Sequence, residues 1–78
     1  MKVEIYTTEN CYHCKQAKDY FRKEEIDFVE HNVTNNVEEA RKIFTLSGQM
    51  GVPTILIDGH VVVGFDKKKI KELLDGGK

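Results

Sequence analysis

Residues 2–23, KVEIYTTENCYHCKQAKDYFRK, place the only two cysteines of the chain between a strand pattern and a helix pattern. The stretch begins by alternating apolar and polar side chains, with Val3 and Ile5 on one face, which predicts a β-strand. Residues from Cys11 to about Lys23 are predicted to form a helix, because apolar residues recur every three or four positions from Cys14 onward. A Cys-x-x-Cys pair at such a strand-to-helix junction is typical of thiol–disulfide chemistry.

Similar patterns predict three further strands and two further helices. The strands cover residues 28–32, 54–57 and 60–63, and the helices cover about 35–46 and 67–74. Asn35, with Glu38 three residues later, resembles a capping box for the first of these helices. Asp58-Gly59 is a two-residue hairpin signal, and Asp66 is suited to cap the last helix. Because a β-α-β start implies a right-handed crossover between parallel strands, we expect an α/β fold in which three helices flank a four-stranded mixed sheet.

The predicted core combines one central strand with the apolar faces of the helices. The run Ile55-Leu56-Ile57 is typical of a strand that is covered on both sides. Gly48 is expected to end the second helix in a left-handed conformation. The helix residues that we predict to be core are Ala17, Tyr20, Phe21, Ile43, Phe44, Leu46, Ile70, Leu73 and Leu74.

The length and charge of the chain limit its class. Seventy-eight residues are expected to form a single domain, 1–78, with one modest core. The formal net charge of −1 gives no reason to expect nucleic acid as a partner. The sequence has neither the roughly 18 consecutive apolar residues of a membrane span nor the apolar segment of a signal peptide. We therefore expect a cytoplasmic protein, in which a close cysteine pair favours catalysis or metal binding over a structural staple. We also expect a monomer.

The two cysteines have different predicted roles because of their helix positions. Cys11 would sit at the helix N-terminus, where unpaired N–H groups and the helix dipole favour a thiolate. Cys14 lies one turn further in. We expect Cys11 to attack the substrate, either a protein disulfide or a glutathione mixed disulfide, and Cys14 to resolve the mixed disulfide that forms.

A metal site is the alternative for this pair. A zinc site takes four ligands, usually from two such pairs or from one pair and two spaced histidines. The chain has no second cysteine pair, and His31 and His60 are far outside the usual spacing. The second hypothesis is a metal or iron–sulfur module to which each of two chains contributes Cys11. Under the first hypothesis no cofactor is bound.

The residues between the cysteines are candidates for tuning and substrate contact. A cationic or hydrogen-bonding His13 would stabilise the Cys11 thiolate and make the disulfide more oxidising, whereas a solvated ring would have little effect. Tyr12 is expected to be exposed beside the nucleophile. It is either a flat contact for the substrate or a surface aromatic residue without a partner.

Two later segments are candidates for substrate binding. Pro53 precedes a strand, and a cis bond after Val52 would expose backbone groups of Val52 to an extended substrate; in general only about 5–6% of such bonds are cis. At Gly64-Phe65-Asp66, free helix N–H groups can hold a carboxylate, and Asp66 can accept from a substrate amine or simply cap the helix. Four lysines follow it. Lys67, Lys68, Lys69 and Lys71 either attract an acidic partner or the carboxylates of glutathione, or form a solvated face.

Together these residues resemble the glutaredoxin branch of the thioredoxin fold over nearly the whole chain. The similar segments are Tyr6-Thr7 with Asn10-Cys11-x-x-Cys14, Ser47-Gly48-Gln49-x-Gly51-Val52-Pro53, Ile57-Asp58-Gly59 and Val63-Gly64-Phe65-Asp66. The resemblance implies a thioredoxin-like β-α-β-α-β-β-α fold, a cis Pro53, and Cys11 as nucleophile with Cys14 as resolving thiol. It also implies an enzyme, a thiol–disulfide oxidoreductase with a redox-active center that serves electron transport and cell redox homeostasis.

The sequence also departs from the glutaredoxin pattern. Glutaredoxins that use glutathione usually carry Cys-Pro-Tyr-Cys, often have a lysine where this chain has Thr8, and commonly have Gly-Gly where it has Gly64-Phe65. Val52 and Asp66 match positions that hold glutathione in the family. The short chain is similar to small bacterial glutaredoxin-like redoxins, some of which thioredoxin reductase reduces. The expected partners are disulfide-containing proteins, with glutathione or thioredoxin reductase as electron donor.

Overall fold

A four-stranded mixed sheet carries three helices in the part of the chain that the structure, a computed structural model, describes: residues 2–48 and 51–76. The elements are β1 (Val3–Thr7), α1 (Tyr12–Lys23), β2 (Val29–Asn32), α2 (Val37–Ser47), β3 (Thr54–Ile57), β4 (His60–Val63) and α3 (Lys67–Leu74). The predicted fold class and element order are confirmed. Gln49 of the glutaredoxin-like segment lies outside the described residues.

The strand directions bring the starts of all three helices to one end of the sheet. The spatial order is β2-β1-β3-β4. β1 pairs with β2 in parallel and with β3 antiparallel, and β3 pairs with β4 antiparallel, so β4 runs in the direction of β1. Thr7, Asn32 and Val63 are therefore the last residues of three strands that point the same way, and we call their end of the sheet the upper end. Each of these strands leads into a helix.

The sheet has a hydrophobic core on each face. Side chains alternate along β1, so Ile5 faces one side and Tyr6 faces the other. The Ile5 side packs against α1 and α3, and its buried residues are Val3, Ile5, Ala17, Phe21, Ile55, Ile57, Val62 and Ile70. The Tyr6 side packs against α2, and its buried residues are Tyr6, Val33, Ile43 and Leu56. All of β3 is buried, as predicted for a central strand.

The turns follow their sequence signals. Asp58 and Gly59 both have positive φ, 48° and 87°, as a two-residue hairpin turn of this type requires. Gly48 caps α2 in the left-handed conformation, with φ 76°. The Val52–Pro53 peptide bond is cis. No helix within residues 2–48 and 51–76 is long and apolar enough to cross a membrane.

The predicted capping box of α2 is wrong by one residue. The N-cap is Asn36 rather than Asn35, and its side-chain oxygen accepts from the Glu39 N–H at 3.0 Å. Asn36 has extended backbone angles, φ −133° and ψ 95°, which suit a cap. Glu38 lies in the first turn but outside that cap.

The predicted core positions Phe44 and Leu46 are also wrong, because these side chains are 56% and 38% exposed. The face of α2 that meets the sheet carries Ile43, which is buried, and Ala40, which is partly buried. Ala40 and Ile43 mark the stripe of α2 that faces the sheet, and Phe44 and Leu46 lie outside that stripe. Tyr20, Leu73 and Leu74 are partly buried and pack against the core.

Candidate redox site

Cys11 lies at the upper end of the sheet as the N-cap of α1. Its backbone is extended, with φ −99° and ψ 108°, and its Sγ accepts from the Cys14 N–H at 3.2 Å. A disulfide joins Cys11 to Cys14 across a Cα–Cα distance of 5.2 Å. A backbone N–H aimed at Sγ is the interaction that stabilises a thiolate in the reduced state.

The two cysteines differ in solvent exposure. Cys14 is 1% exposed, whereas Cys11 is half-buried. Both lie along an open groove that runs from the loop at 8–10 to the outer side of α1, where Lys15 and Lys18 line it. Of the two cysteines that line this groove, Cys11 is the more exposed.

A side-chain network covers the first turn of α1. Tyr12 is 70% exposed, and its ring meets the His13 ring edge-on at a centroid distance of 5.6 Å. The Gln16 Nε2 donates to the Tyr12 hydroxyl at 3.3 Å, and the Gln16 Oε1 lies 2.9 Å from the His13 Nδ1. Because an amide oxygen can only accept, His13 donates through Nδ1 in this arrangement. Sequence reasoning missed Gln16, although its spacing of three and four residues from His13 and Tyr12 permits these contacts.

A second network lies below the groove and was also missed. Thr7, fully buried at the end of β1, donates to the Glu30 carboxylate at 2.6 Å. Lys18 binds the same oxygen at 2.9 Å. The Thr7 hydrogen bond lowers the pKa of Glu30, against an opposing effect of burial, and the Lys18 ammonium lowers it further. The network ties β1, β2 and α1 together beside the site, and neither local spacing nor periodicity reveals a contact between residues 23 positions apart.

The cis-proline segment borders the same loop. Val52 lines a second groove with Thr8, Glu9 and Asn10, and those three loop residues also line the Cys11 groove. Pro53 is buried, and its carbonyl accepts from the Gly64 N–H at 2.8 Å. Val52, Pro53 and Gly64 therefore gather at the upper end near Cys11.

Phe65 and Asp66, which were predicted to bind substrate, both make contacts within the fold. Phe65 is partly buried and packs against the core, with its ring 5.9 Å from that of Tyr20. Asp66 caps α3 through an oxygen that accepts from the Lys69 N–H at 3.2 Å. Within residues 2–48 and 51–76, no group of three or more His, Cys, Asp or Glu side chains is placed to hold a metal ion.

The sheet order, the cysteine pair at the N-terminus of α1 and the cis-proline segment beside it define a thioredoxin-fold dithiol–disulfide oxidoreductase. The model of the family described as Glutaredoxin matches residues 3–62, and the chain belongs to the glutaredoxin family. The predicted family, fold and thiol–disulfide oxidoreductase activity are thereby confirmed.

Three similar proteins place the chain within this family. A glutaredoxin-like 8.6 kDa protein in a rubredoxin operon of Clostridium pasteurianum is 42% identical over 73 residues, which cover 94% of this chain and 97% of that protein. Glutaredoxin from Archaeoglobus fulgidus has a TM-score of 0.85 and 27% identity, with 94% and 85% of the two chains covered. NrdH-redoxin from Escherichia coli, described as glutaredoxin-like with a thioredoxin-like activity profile, has a TM-score of 0.79 and 27% identity, with 94% and 95% covered.

Proposed function

We propose that Cys11 is the nucleophile and Cys14 the resolving thiol of a small electron carrier that reduces protein disulfides. The observation that carries this proposal is the asymmetry of the pair: Cys11 caps α1 and is half-buried, whereas Cys14 is 1% exposed. The nucleophile must reach a foreign sulfur, while the resolving thiol needs only to reach its neighbour.

The reaction transfers two electrons and conserves atoms. The Cys11 thiolate attacks one sulfur of the substrate disulfide, and the other sulfur leaves as a thiolate that takes a proton. Cys14 loses its proton and attacks the Cys11 sulfur in the mixed disulfide. The second substrate sulfur then leaves and is protonated, and the protein is left with the Cys11–Cys14 disulfide.

The substrate backbone is proposed to bind along Val52. No backbone–backbone hydrogen bond within the described part of the chain uses the N–H or C=O of Val52. These groups can pair with an extended segment next to the substrate cysteine, as in the addition of a strand to a sheet edge. Pro53 and Gly64 hold that segment in place, Tyr12 offers an exposed ring beside Cys11, and Phe65 and Asp66 fix the start of α3.

Single-turnover kinetics of the reduced protein with an oxidised peptide disulfide test these roles. Cys11→Ser should abolish peptide reduction. Cys14→Ser should react once and accumulate a mixed disulfide through Cys11, visible by mass spectrometry. Normal reduction by Cys11→Ser, or a mixed disulfide trapped on Cys14 of the wild type, would overturn the assignment.

For the electron donor we propose a thioredoxin reductase ahead of glutathione, in the cytoplasm. Two features support this order: Thr8 stands where glutathione-using relatives often have a lysine, and a partly buried Phe65 packs against the core where they commonly have glycine. NADPH with thioredoxin reductase should reduce the oxidised protein faster than glutathione with glutathione reductase. Faster reduction by glutathione would reverse the proposal without affecting the roles of the cysteines.

A further inference from the structure

The first turn of α3 carries a cluster of positive charge that its own helix disfavours. Lys67, Lys68 and Lys69 are consecutive and no acidic residue lies in that turn, while Lys71 follows in the last turn of the helix. Cations at a helix N-terminus oppose the helix dipole. All four lysines are exposed, and none forms an ion pair among residues 2–48 and 51–76. Asp66 caps this helix, but the charges of Lys68 and Lys69 have no ion-pair partner inside the described fold.

The topology places this cluster at the same end of the sheet as the redox site. β4 runs parallel to β1, so α3 begins at the upper end, as α1 does. The Gly64 N–H bonds the Pro53 carbonyl at 2.8 Å, three residues before the first lysine. Lys67 lies over the Tyr20 ring at 5.5 Å, which leaves Lys68 and Lys69 as the outward charges of the first turn.

We infer that the first turn of α3 is a docking surface for an acidic segment that flanks the disulfide of a protein substrate. The inference rests on the proposed reduction of protein disulfides. Charge complementarity selects carboxylates for unpaired lysines, and the neighbouring thiol chemistry requires that the ligand also carry a disulfide. A protein with aspartate or glutamate next to its reducible cysteine meets both requirements, whereas nucleic acid is negatively charged but carries no disulfide.

Two synthetic peptide disulfides test the inference. They share one cysteine loop, and one carries three flanking glutamates where the other carries three glutamines. The protein, reduced beforehand and freed of reductant, is mixed with each in a single-turnover assay, so that no electron donor enters. At low ionic strength the glutamate peptide should react about 10-fold faster. This ratio should fall toward one in ~0.5 M salt, where surface charges are screened.

Charge-reversal variants assign the effect to α3. Lys68→Glu with Lys69→Glu should bring the ratio of the two rates to one or below, and should leave thermal stability equal or higher because acidic residues suit a first helical turn. Lys2→Glu with Lys23→Glu makes the same change in net charge at exposed sites before β1 and at the end of α1. It should keep most of the preference.

The outcomes separate this inference from the proposed function. Equal rates for both peptides with the wild type would overturn the docking surface and leave the roles of the cysteines intact. An equal loss of preference in both double variants would also overturn it, because net charge alone would then explain the effect. Reduction of both peptides by Cys11→Ser would instead overturn the proposed function.

Discussion

The N-termini of α1 and α2 lie at the same end of the sheet but differ in their acidic side chains. α2 begins with Asn36 as its cap and has Glu38 and Glu39 in its first turn. α1 begins with Cys11 as its cap and has no acidic residue in its first turn. Acidic side chains stabilise a helix start through the dipole and the unpaired N–H groups. In α1 the dipole and the unpaired N–H groups are not used by acidic side chains and can stabilise the Cys11 thiolate. The start of α1 therefore serves the redox chemistry, whereas the start of α2 serves stability.

The largest effect is expected when the first turn of α1 receives an acidic side chain like those in the first turn of α2. His13→Glu places a carboxylate in the first turn of α1, where it would repel the Cys11 thiolate. The pH profile of alkylation of the reduced protein should shift upward by about one pH unit. Lys23→Glu at the other end of α1 is the matched control. If both variants shift the profile equally, the helix start has no special effect.

Removing the N-cap of α2 should lower the stability of the protein without changing the rate of disulfide reduction. Asn36→Ala deletes the side chain that accepts from the Glu39 N–H and should lower the free energy of unfolding by about 1 kcal/mol. Asn35→Ala, at the neighbouring position that is not the cap, is the control and should cost much less. Denaturant unfolding measures both, and the single-turnover rate should stay at the wild-type value. A slowed reaction would mean that the two helix starts are coupled.

The network below α1 adds a pH dependence to stability. Because Thr7 and Lys18 lower the pKa of Glu30, the folded state favours its ionised form. This stabilisation is complete above the ordinary carboxyl pKa and is lost as the pH falls through the lowered value. Glu30→Gln should therefore cost roughly 0.5 to 1 kcal/mol at pH 7, since the pair is partly exposed. The difference from wild type should shrink toward pH 3, and a constant difference would contradict the ionic role.

The smallest expected effect concerns the Tyr12–His13–Gln16 network. If His13 stabilises the Cys11 thiolate, His13→Ala makes the disulfide less oxidising, and its reduction potential should become about 5 to 20 mV more negative. Gln16→Ala should give part of that shift because it frees the ring of His13. In the double variant the shift should equal that of His13→Ala alone. Additive shifts would show that Gln16 acts independently of His13.

The fold was predictable because its signals are local and agree with one another. The Cys-x-x-Cys junction, the Asp58-Gly59 turn and the apolar run at Ile55-Leu56-Ile57 each select one local structure, and the topology follows from their order. The errors fall where two residues compete for one role. Asn35 and Asn36 are equally good caps, and on α2 the large Phe44 is a stronger hydrophobic signal than Ala40, which meets the sheet.

Only the features of the candidate site that depend on local sequence were predictable. Helix position was enough to place Cys11 and Cys14, because the N-terminal turn sets their exposure. The Thr7–Glu30 contact joins residues 23 positions apart and depends on the register of β1 and β2, which sequence patterns do not specify. The partners of Gln16 depend on side-chain directions that spacing permits but does not determine.

The most direct test of the unequal cysteine pair is pH-dependent alkylation of the fully reduced wild type, read for each cysteine by peptide mass. Cys11, at the helix start, should be modified first, with a midpoint well below the ordinary thiol value of about 8.5. Cys14, buried behind it, should stay unmodified over the same period. Equal modification of both cysteines, or a Cys11 midpoint near the ordinary value, would contradict the proposal that the N-terminus of α1 sets the chemistry of this protein.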